Sequence, residues 1–370
     1  MVWIKDFGAV CDGSTDDTAA IQNAWNYAAS VNLDVWLGGV GPKCKISSLT
    51  MPAPIVIGLG SDFGAARTSM LHGPASNQVM LVSTVTGTTC AITITAASYG
   101  TNSSLAGKFS SFGVTQVAQN QAGNGICLNN ITKATFEDVS ISYFATGFNA
   151  NDTSLLNIEK SWFEHSLVQI SGQQVSNTGP NAWNIKNNHF SSSGLYSIRL
   201  TAPNLVNIEG NDFESDGTPS GTSGITIYVP SVSASFPSVG INIVRNYFEG
   251  NTGTEIWITP QASSLSVHNV VGNIFARTLT NLSNGVVLAN ALGSQTNVNV
   301  GGNSFLDTTG IPGTFKWLQV TNSATFNYTF DCSQQNNTNT PAEIDSHCSG
   351  ARIAGGTVKS DVNGTYIGLN

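Results

Sequence analysis

The sequence predicts an all-β chain folded as a parallel β-helix, with three short strands in each coil and a helix capping the N-terminal end. Two observations carry this prediction: a phrase that recurs six times between residues 158 and 305, and one amphipathic segment near the start of the chain. The composition agrees, since 40% of the 370 residues are hydrophobic while only 10% are charged. Many short apolar strands joined by polar turns have such a composition.

The first predicted element, over residues 1–30, is a strand followed by the capping helix. Ser14 and Asp17 have the spacing of a capping box, with Asp in place of the usual Glu. Four apolar residues then recur at helical spacing and predict a buried face on a helix over residues 16–30: Ile21, Ala24, Trp25 and Ala28. Because a stack of coils exposes apolar surface at its open end, a short amphipathic helix is expected to cover it.

The coils are predicted over residues 31–309. Their phrase is an aliphatic residue, usually an Asn three positions later, and a Phe two positions after that. Copies begin at Ile158 (with Ser161 in the Asn place), Ile185, Ile208, Ile243, Val270 and Val300, and Val139–Phe144 fits as a degenerate earlier copy. Alternating apolar residues follow each Phe, which is the pattern of a half-buried strand. One such repeat cannot bury its own apolar face, whereas stacked copies can.

Within each copy, the Phe is expected to point inward and the Asn to form a tight corner between two strands. Asn tolerates left-handed backbone geometry, and Asn side chains stacked at such corners can bond one another from coil to coil. The phrase fades after Asn303, and residues 310–370 are predicted to form a C-terminal β cap or assembly region.

The charge distribution excludes two classes of partner. The net charge is −8 and the 14 Lys and Arg residues form no cluster, so neither nucleic acid nor an anionic membrane surface is expected as a partner. Membrane insertion is not expected, because no apolar run approaches the roughly 18 residues of a spanning helix. The six cysteines lack metal-ligand spacing, and neither a metal nor another cofactor is expected. They are expected to be reduced buried thiols, with a Cys332–Cys348 disulfide across a polar loop as the alternative.

Chemistry is expected at the outward positions that flank each inward Phe. Four successive copies place aromatic, acidic or imidazole side chains there, and later copies do not: Trp162/Glu164, His189/Ser191, Asp212/Glu214 and Tyr247/Glu249. A glycosidase needs one protonated carboxylic acid and one carboxylate, and repulsion between carboxylates one coil apart raises one pKa. The candidate acids and bases are Glu214, Glu249, Asp212, Asp216 and Glu164.

A second outward row is expected on the strand after each Phe, formed by Gln169, Arg199, Thr226 and Trp257. Arg holds acidic groups through two parallel hydrogen bonds, and aromatic faces stack on sugar rings. The candidate substrate-binding residues are Arg199, Trp162, Trp257, Tyr247, His189 and Glu255. Two alternatives stay open: the carboxylates only keep a sheet face soluble, and the exposed aromatic residues form a subunit interface.

The segment Ile4–Ile21, which reads IKDFGAVCDGSTDDTAAI, resembles the opening of the pectate-lyase-like right-handed β-helix superfamily. In that superfamily the segment forms a first strand, a tight turn and the capping helix. The resemblance therefore implies a right-handed parallel β-helix. It says much less about activity, because polysaccharide lyases, glycoside hydrolases, epimerases and bacteriophage tailspike depolymerases share this opening.

Among these classes the sequence is most similar to a phage tailspike, a receptor-binding protein that is usually a homotrimer and acts outside the host from the virion tail. The resemblance implies endo-type hydrolysis of a bacterial surface polysaccharide, either O-antigen or capsule. The first alternative is a secreted polysaccharide lyase, which needs a Lys or Arg as its base. Only Arg199 stands out in the sequence for that role. The second is a non-catalytic carbohydrate-binding β-helix, which needs the aromatic residues but neither Glu214 nor Glu249.

Overall fold

Short strands, nearly all paired in parallel with the strand of the next coil, make up most of the residues that the structure describes. The computed structural model describes residues 1–39, 41–52, 55–56, 65–67, 69–96, 104–105, 107–176, 178–216, 224–230, 239–259, 265–278, 282–289, 295–307, 316–321 and 326–337. The chain divides into two compact units, Met1–Asn184 and Ile185–Asn370. Among the described residues, no helix is long and apolar enough to cross a membrane.

The N-terminal unit carries a 3-10 helix at Ile4–Phe7 and an α-helix, α1, at Thr18–Ser30. Its strands are β1 (Val2–Trp3), β2 (Asp12–Asp16), β3 (Val35–Trp36), β4 (Lys43–Ile46), β5 (Leu49–Thr50), β6 (Ile55–Val56), β7 (Ala65–Arg67), β8 (Leu71–His72), β9 (Met80–Ser83), β10 (Cys90–Thr95), β11 (Ser104–Leu105), β12 (Phe109–Gln116), β13 (Asn124–Asn129), β14 (Ala134–Ser142), β15 (Thr146–Asn151), β16 (Leu156–Glu159), β17 (Trp162–Glu164) and β18 (Val168–Gln173). Strand β14 pairs in parallel with β12, β16 and β17, while β10, β13, β15 and β18 form a second parallel sheet.

Helix α1 forms where the sequence predicts it, and its buried face consists of the four predicted residues. Trp25 anchors this face, since its indole N–H donates to the Ser69 carbonyl at 2.9 Å. The predicted capping box is wrong, because the Asp17 side chain makes no bond to the helix N-terminus. Its carboxylate instead accepts the backbone N–H groups of Val10 at 2.8 Å and Cys11 at 3.0 Å. Asp17 therefore fastens the helix to the segment before strand β2.

Two disulfides, Cys11–Cys44 and Cys90–Cys127, correct the expectation of reduced thiols. The paired residues are 33 and 37 positions apart. This is about the length of one coil, so each disulfide joins neighbouring coils: Cys44 lies on strand β4, which pairs with the strand that follows Cys11, and Cys90 and Cys127 lie on the paired strands β10 and β13. The alternative Cys332–Cys348 disulfide stays a prediction, because Cys348 lies outside the described residues.

The C-terminal unit repeats three strands in each coil. Its strands are β19 (Asn184–Lys186, beginning at the last residue of the N-terminal unit), β20 (His189–Ser191), β21 (Tyr196–Leu200), β22 (Asn204–Glu209), β23 (Asp212–Glu214), β24 (Gly224–Val229), β25 (Val239–Val244), β26 (Tyr247–Glu249), β27 (Gly253–Ile258), β28 (Leu265–Val271), β29 (Ile274–Arg277), β30 (Leu282–Ala289), β31 (Gln295–Asp307), β32 (Lys316–Thr321) and β33 (Phe326–Asn337). One parallel sheet follows β20, β23, β26 and β29, a second follows β22, β25, β28 and β31, and a third follows β21, β24, β27, β30 and β32. The prediction of three strands in each coil is confirmed.

The inward phenylalanines form the predicted stack. Neighbouring rings in the C-terminal unit lie nearly parallel, with centroids 4.7 to 4.9 Å apart, and the stack consists of Phe190, Phe213, Phe248 and Phe275. This distance equals the usual spacing between paired strands, so each coil contributes one ring to a continuous core. One alignment was wrong: Ile141, not Phe144, occupies the Phe place of its coil, in register with Phe163.

The predicted asparagine ladder also forms. Each amide N–H2 donates to the Oδ1 of the next Asn at 3.0 Å, and the same Oδ1 accepts a backbone N–H, along Asn188, Asn211, Asn246, Asn273 and Asn303. The left-handed backbone lies one residue earlier than expected, at Asn187, Gly210, Arg245, Gly272 and Gly302. The corner needs two neighbouring residues, one for the turn and one for the buried hydrogen bonds.

Strands β32 and β33 fall within the region predicted as a C-terminal cap, and residues 338–370 lie outside the described part of the chain.

Candidate active site

Strands β20, β23 and β26 direct their middle residue inward and the two flanking residues outward. Asp212 lies in register with His189 on one neighbouring strand and with Tyr247 on the other. Glu214 lies in register with Glu249 on strand β26. The structure thus brings five of the predicted site residues onto one face, which we call the carboxylate face: His189, Asp212, Glu214, Tyr247 and Glu249.

Asp212 connects the groups of the carboxylate face. Its Oδ2 lies 3.1 Å from Nδ1 of His189, whereas its Oδ1 is buried without a hydrogen-bond partner. Burial raises the pKa of Glu214, and the Asp212 and Glu249 charges raise it further, against an opposing effect of His189. Two neighbouring carboxyl groups can bond only when one is protonated, so the buried Oδ1 of Asp212 would accept a hydrogen bond from a protonated Glu214.

Glu249 has a different environment from Glu214. The Tyr247 hydroxyl donates a hydrogen bond to Glu249 Oε2 at 2.7 Å, and this bond raises the pKa of Tyr247 to about 12. This bond fixes the orientation of the Glu249 carboxylate. The carboxylate face therefore holds one carboxyl group with a raised pKa, Glu214, and a second that is oriented as a hydrogen-bond acceptor.

The same face has the donor set of a metal site. One His nitrogen and two carboxylate oxygens, from His189, Asp212 and Glu214, lie within 4.8 Å of one another. Imidazole with carboxylates suits divalent transition metals. These three residues are the ones that could ligate such an ion, although the sequence predicts none.

Two residues predicted for this site lie inside the coil, which corrects the expected positions of Asp216 and Glu255. They are 2% and 1% exposed. Asp216 Oδ1 accepts the Ser193 N–H at 2.9 Å, while Glu255 Oε2 accepts the Thr226 hydroxyl at 3.0 Å and the Asn251 amide at 2.9 Å. Burial raises the pKa of Asp216 to about 6 and that of Glu255 to about 8. Both side chains bond to the coil interior and do not reach the surface.

The second outward row differs from the predicted one. Arg199 lies in register with Tyr228, and Tyr228 with Trp257. Thr226 and Gln169, which were expected in this row, are 1% and 0% exposed. Thr226 and Ile227 are both buried, so strict alternation fails on strand β24. The register instead aligns the three strands on their central isoleucines: Ile198, Ile227 and Ile256.

The sequence does not predict Tyr228 in the outward row, because strict alternation aligns its strand on the wrong residues. It stacks on Tyr196 with ring centroids 5.1 Å apart and meets Trp257 edge-on at 6.4 Å. An alignment of Ile227 with Ile198 places Tyr228 beside Arg199 in the outward row. The row therefore consists of one cation and an aromatic cluster.

The remaining predicted residues, Trp162 and Glu164, belong to the N-terminal unit. They lie on strand β17 and line a surface pocket of about 330 Å³ together with Ser76, Asn77 and Ser140. Trp162 is 49% exposed. The loop residues Ser76 and Asn77 follow no repeat, so the sequence offered no signal that they lie beside strand β17.

No protein family and no curated protein matches this sequence. Solved structures share its fold. Tailspike protein 2 of bacteriophage CBA120, as its enzymatically active domain, is 16% identical with a TM-score of 0.56, covering 90% of this chain and 46% of that one. The Dettilon tailspike protein is 14% identical with a TM-score of 0.57, covering 94% of this chain and 70% of that one.

An enzyme with different chemistry shares the fold as well. The A-module of mannuronan C-5 epimerase AlgE6 from Azotobacter vinelandii is 15% identical with a TM-score of 0.51, covering 92% of this chain and 100% of that one. This chain spans less than half the length of the CBA120 domain. The similarities show that the chain is a right-handed parallel β-helix of the kind found in tailspike proteins, as the sequence predicts.

Proposed function

We propose that the chain is a glycosidase that cleaves a polysaccharide at the carboxylate face. One observation carries the proposal: Glu214 has a raised pKa beside Asp212 and lies in register with Glu249 on the next coil. A glycosidase needs two carboxyl groups in unlike protonation states across one scissile bond. The shared fold supports a polysaccharide-binding or polysaccharide-processing role in general, because both tailspikes and an epimerase have it.

Glu214 is the proposed general acid. Its proton passes to the glycosidic oxygen as the bond to the anomeric carbon breaks, which leaves Glu214 ionised. Glu249, oriented by Tyr247, is the proposed second carboxylate, which either activates a water molecule or attacks the anomeric carbon. Asp212 keeps the proton on Glu214 through its charge, and His189 holds Asp212 in place.

Hydrolysis is favoured over elimination by the bases available. A lyase needs a base for the sugar C5 proton and cations that neutralise a uronate. Among the described side chains of the carboxylate face, His189 is the one nitrogen base, and Arg199 lies on a different strand row. A secreted polysaccharide lyase stays the second candidate, and a carbohydrate-binding protein without catalysis the third.

The proposed setting is that of a phage tailspike. The substrate is then a bacterial O-antigen or capsular polysaccharide, the location is the virion tail with extracellular action, and the assembly is a homotrimer. The fold similarity to tailspike proteins supports this setting. Light scattering on the purified chain tests the assembly directly: a trimer mass is expected, and a monomer at micromolar concentration contradicts this part of the proposal.

The decisive experiment is product analysis on a panel of bacterial surface polysaccharides. Wild type, Glu214→Gln and Glu249→Gln are compared by mass spectrometry and by the ultraviolet absorbance of unsaturated uronates. Saturated oligosaccharides are expected from the wild type, and each variant is expected to lose on the order of 10²-fold or more in rate, because each removes one of the two carboxyl groups that the proposed reaction needs. Removing divalent ions with EDTA is expected to leave the rate unchanged.

Glu209→Gln is the matched control. This carboxylate belongs to the same unit but pairs with Lys186 at 3.1 Å and with Arg245, and it lies on strand β22. It is expected to retain the wild-type rate. Unsaturated products from the wild type would show that the chain cleaves by elimination and not by hydrolysis. A wild-type rate in Glu214→Gln would show that Glu214 is not the general acid.

A further inference from the structure

The pocket of the N-terminal unit has two kinds of wall. Strands β14 and β17 form one wall, on which Ser140 lies in register with Trp162 and Ser142 with Glu164. The loop that carries Ser76 and Asn77 contributes the rest of the lining. The pocket thus combines one half-exposed indole face, one carboxylate and neutral hydrogen-bonding groups.

The loop wall is held close by Gly113 on strand β12. A Cβ at this position would lie 2.5 Å from Met80 Sδ and 2.8 Å from the Ser76 carbonyl oxygen, so only glycine allows the approach. Gly113 also lies in register with both Met80 and Ser140. The pocket is therefore built into the coil stack and has a fixed shape.

The corner that follows Glu164 is unusual. Tyr143 and His165 both adopt left-handed backbone geometry, with φ of 65° and 52°, and their rings stack with centroids 4.8 Å apart. Coils of the C-terminal unit place small residues at the equivalent position: Ser192, Ser215 and Gly250. The Tyr143–His165 stack therefore distinguishes this corner from the corners of the C-terminal unit.

We infer that this pocket is a binding site for a neutral pyranose ring, which stacks on Trp162 and bonds through its hydroxyl groups to Glu164, Ser140 and Asn77. Sugar rings present apolar C–H faces to indoles, and carboxylate, amide and hydroxyl groups bond to sugar hydroxyls. No Lys or Arg is among the five lining residues, and Glu164 repels an acidic sugar. The pocket binds without any cleavage, so the inference does not depend on the chemistry proposed for the carboxylate face.

Saturation-transfer NMR with monosaccharides tests the inference on the full chain. The probes are the methyl glycosides of glucose, galactose, mannose, rhamnose and N-acetylglucosamine, each at about 50 mM because a single ring binds with millimolar affinity. At least one is expected to bind, and Trp162→Ala is expected to weaken it by about tenfold or more. Trp3→Ala is the control, because Trp3 is another exposed tryptophan of the same unit, 38% exposed, and does not line the pocket.

The difference in affinity between a charged and a neutral sugar is a second measurement, and a folding defect cannot produce it. Methyl glucuronide is expected to bind about tenfold more weakly than the neutral glucoside at low salt, and Glu164→Gln is expected to abolish this difference while it retains binding of the neutral ring. Absence of binding by all five neutral glycosides overturns the inference. So does equal binding in wild type and Trp162→Ala, or a preference of the wild type for glucuronide. Tighter binding of glucosamine than of N-acetylglucosamine would reassign the pocket to ammonium ligands.

Discussion

Glu214 and Glu255 both have a raised pKa, but one side chain lies at the surface and the other is enclosed. The raised pKa therefore has a different effect at each residue. Glu214 lies on an outward strand face beside Asp212, so a substrate can reach it. Glu255 is enclosed in the coil and bonds to Thr226 and Asn251. Of the two, Glu214 is therefore the candidate for the proposed proton transfer to a ligand, and Glu255 is the residue expected to make stability depend on pH.

Asp212→Asn is expected to lower the pKa of Glu214 without returning it to the ordinary value. Burial is the largest cause of the raised pKa and persists in the variant, whereas the repulsion from Asp212 disappears. A carbon-13 NMR titration of the Glu214 carboxyl measures this without any substrate. An unchanged pKa in Asp212→Asn would show that Asp212 does not keep the proton on Glu214.

Glu255→Gln is expected to flatten the pH dependence of stability. The unfolded chain releases the Glu255 proton near the ordinary pKa of 4.5, whereas the folded chain keeps it up to about pH 8. Between these values the unfolded state binds fewer protons, so the free energy of unfolding falls as the pH rises. Gln keeps the shape and the hydrogen bonds but does not titrate, so the variant is expected to be more stable than the wild type at pH 8.

Urea unfolding at pH 4.5 and pH 8 checks this expectation for Glu255→Gln. Glu164→Gln is the control, because that side chain lines a surface pocket and reaches solvent. If the wild type and Glu255→Gln lose the same free energy of unfolding between the two pH values, Glu255 does not titrate in this window.

The asparagine ladder is the element that holds successive corners of the C-terminal unit in register. Asn246 accepts the Asn211 backbone N–H at 2.9 Å and its amide at 3.0 Å, and donates to Asn273 at 3.0 Å. Every atom of this ladder is buried, so each broken bond leaves a polar group without water. The corner geometry of a coil therefore depends on the side chain of the next coil.

Asn246→Ala is expected to lower the free energy of unfolding by about 3 kcal/mol or more, because at least two buried donors of Asn211 lose their acceptor. Asn242→Ala is the matched control on the preceding strand. Asn242 is exposed, and its Oδ1 accepts the Asn269 amide at 2.7 Å on the outer surface, where water can replace the lost bond. Equal losses in the two variants, measured by urea unfolding, would show that burial of the ladder does not matter.

Across the whole molecule, the features that recur in every coil can be predicted from the sequence. Features that depend on a break in strand alternation or on a single coil cannot. The inward Phe stack and the Asn ladder were predictable because every coil offers the same residue at the same offset. Glu255 was misplaced because Thr254, Glu255 and Ile256 are all buried at the start of their strand, where strict alternation predicts an outward Glu255. The pocket loop at Ser76 and Asn77 has no counterpart in other copies, so only three-dimensional packing places it beside Trp162.

Two disulfides join neighbouring coils of the N-terminal unit. Cys11–Cys44 lies at the start of the coil stack, beside helix α1, and Cys90–Cys127 joins strands β10 and β13. Each closes a loop of more than 30 residues, since the separations are 33 and 37. Closure of loops this long restricts the unfolded chain and stabilises the folded one by about 3 to 4 kcal/mol each.

Reduction is therefore expected to lower the free energy of unfolding, and the double variant Cys11→Ser/Cys44→Ser is expected to reproduce about half of the effect. Urea unfolding with and without dithiothreitol measures both. Peptide mapping after alkylation identifies the pairs. Free thiols at these four positions in protein made in an oxidising compartment would contradict the pairing.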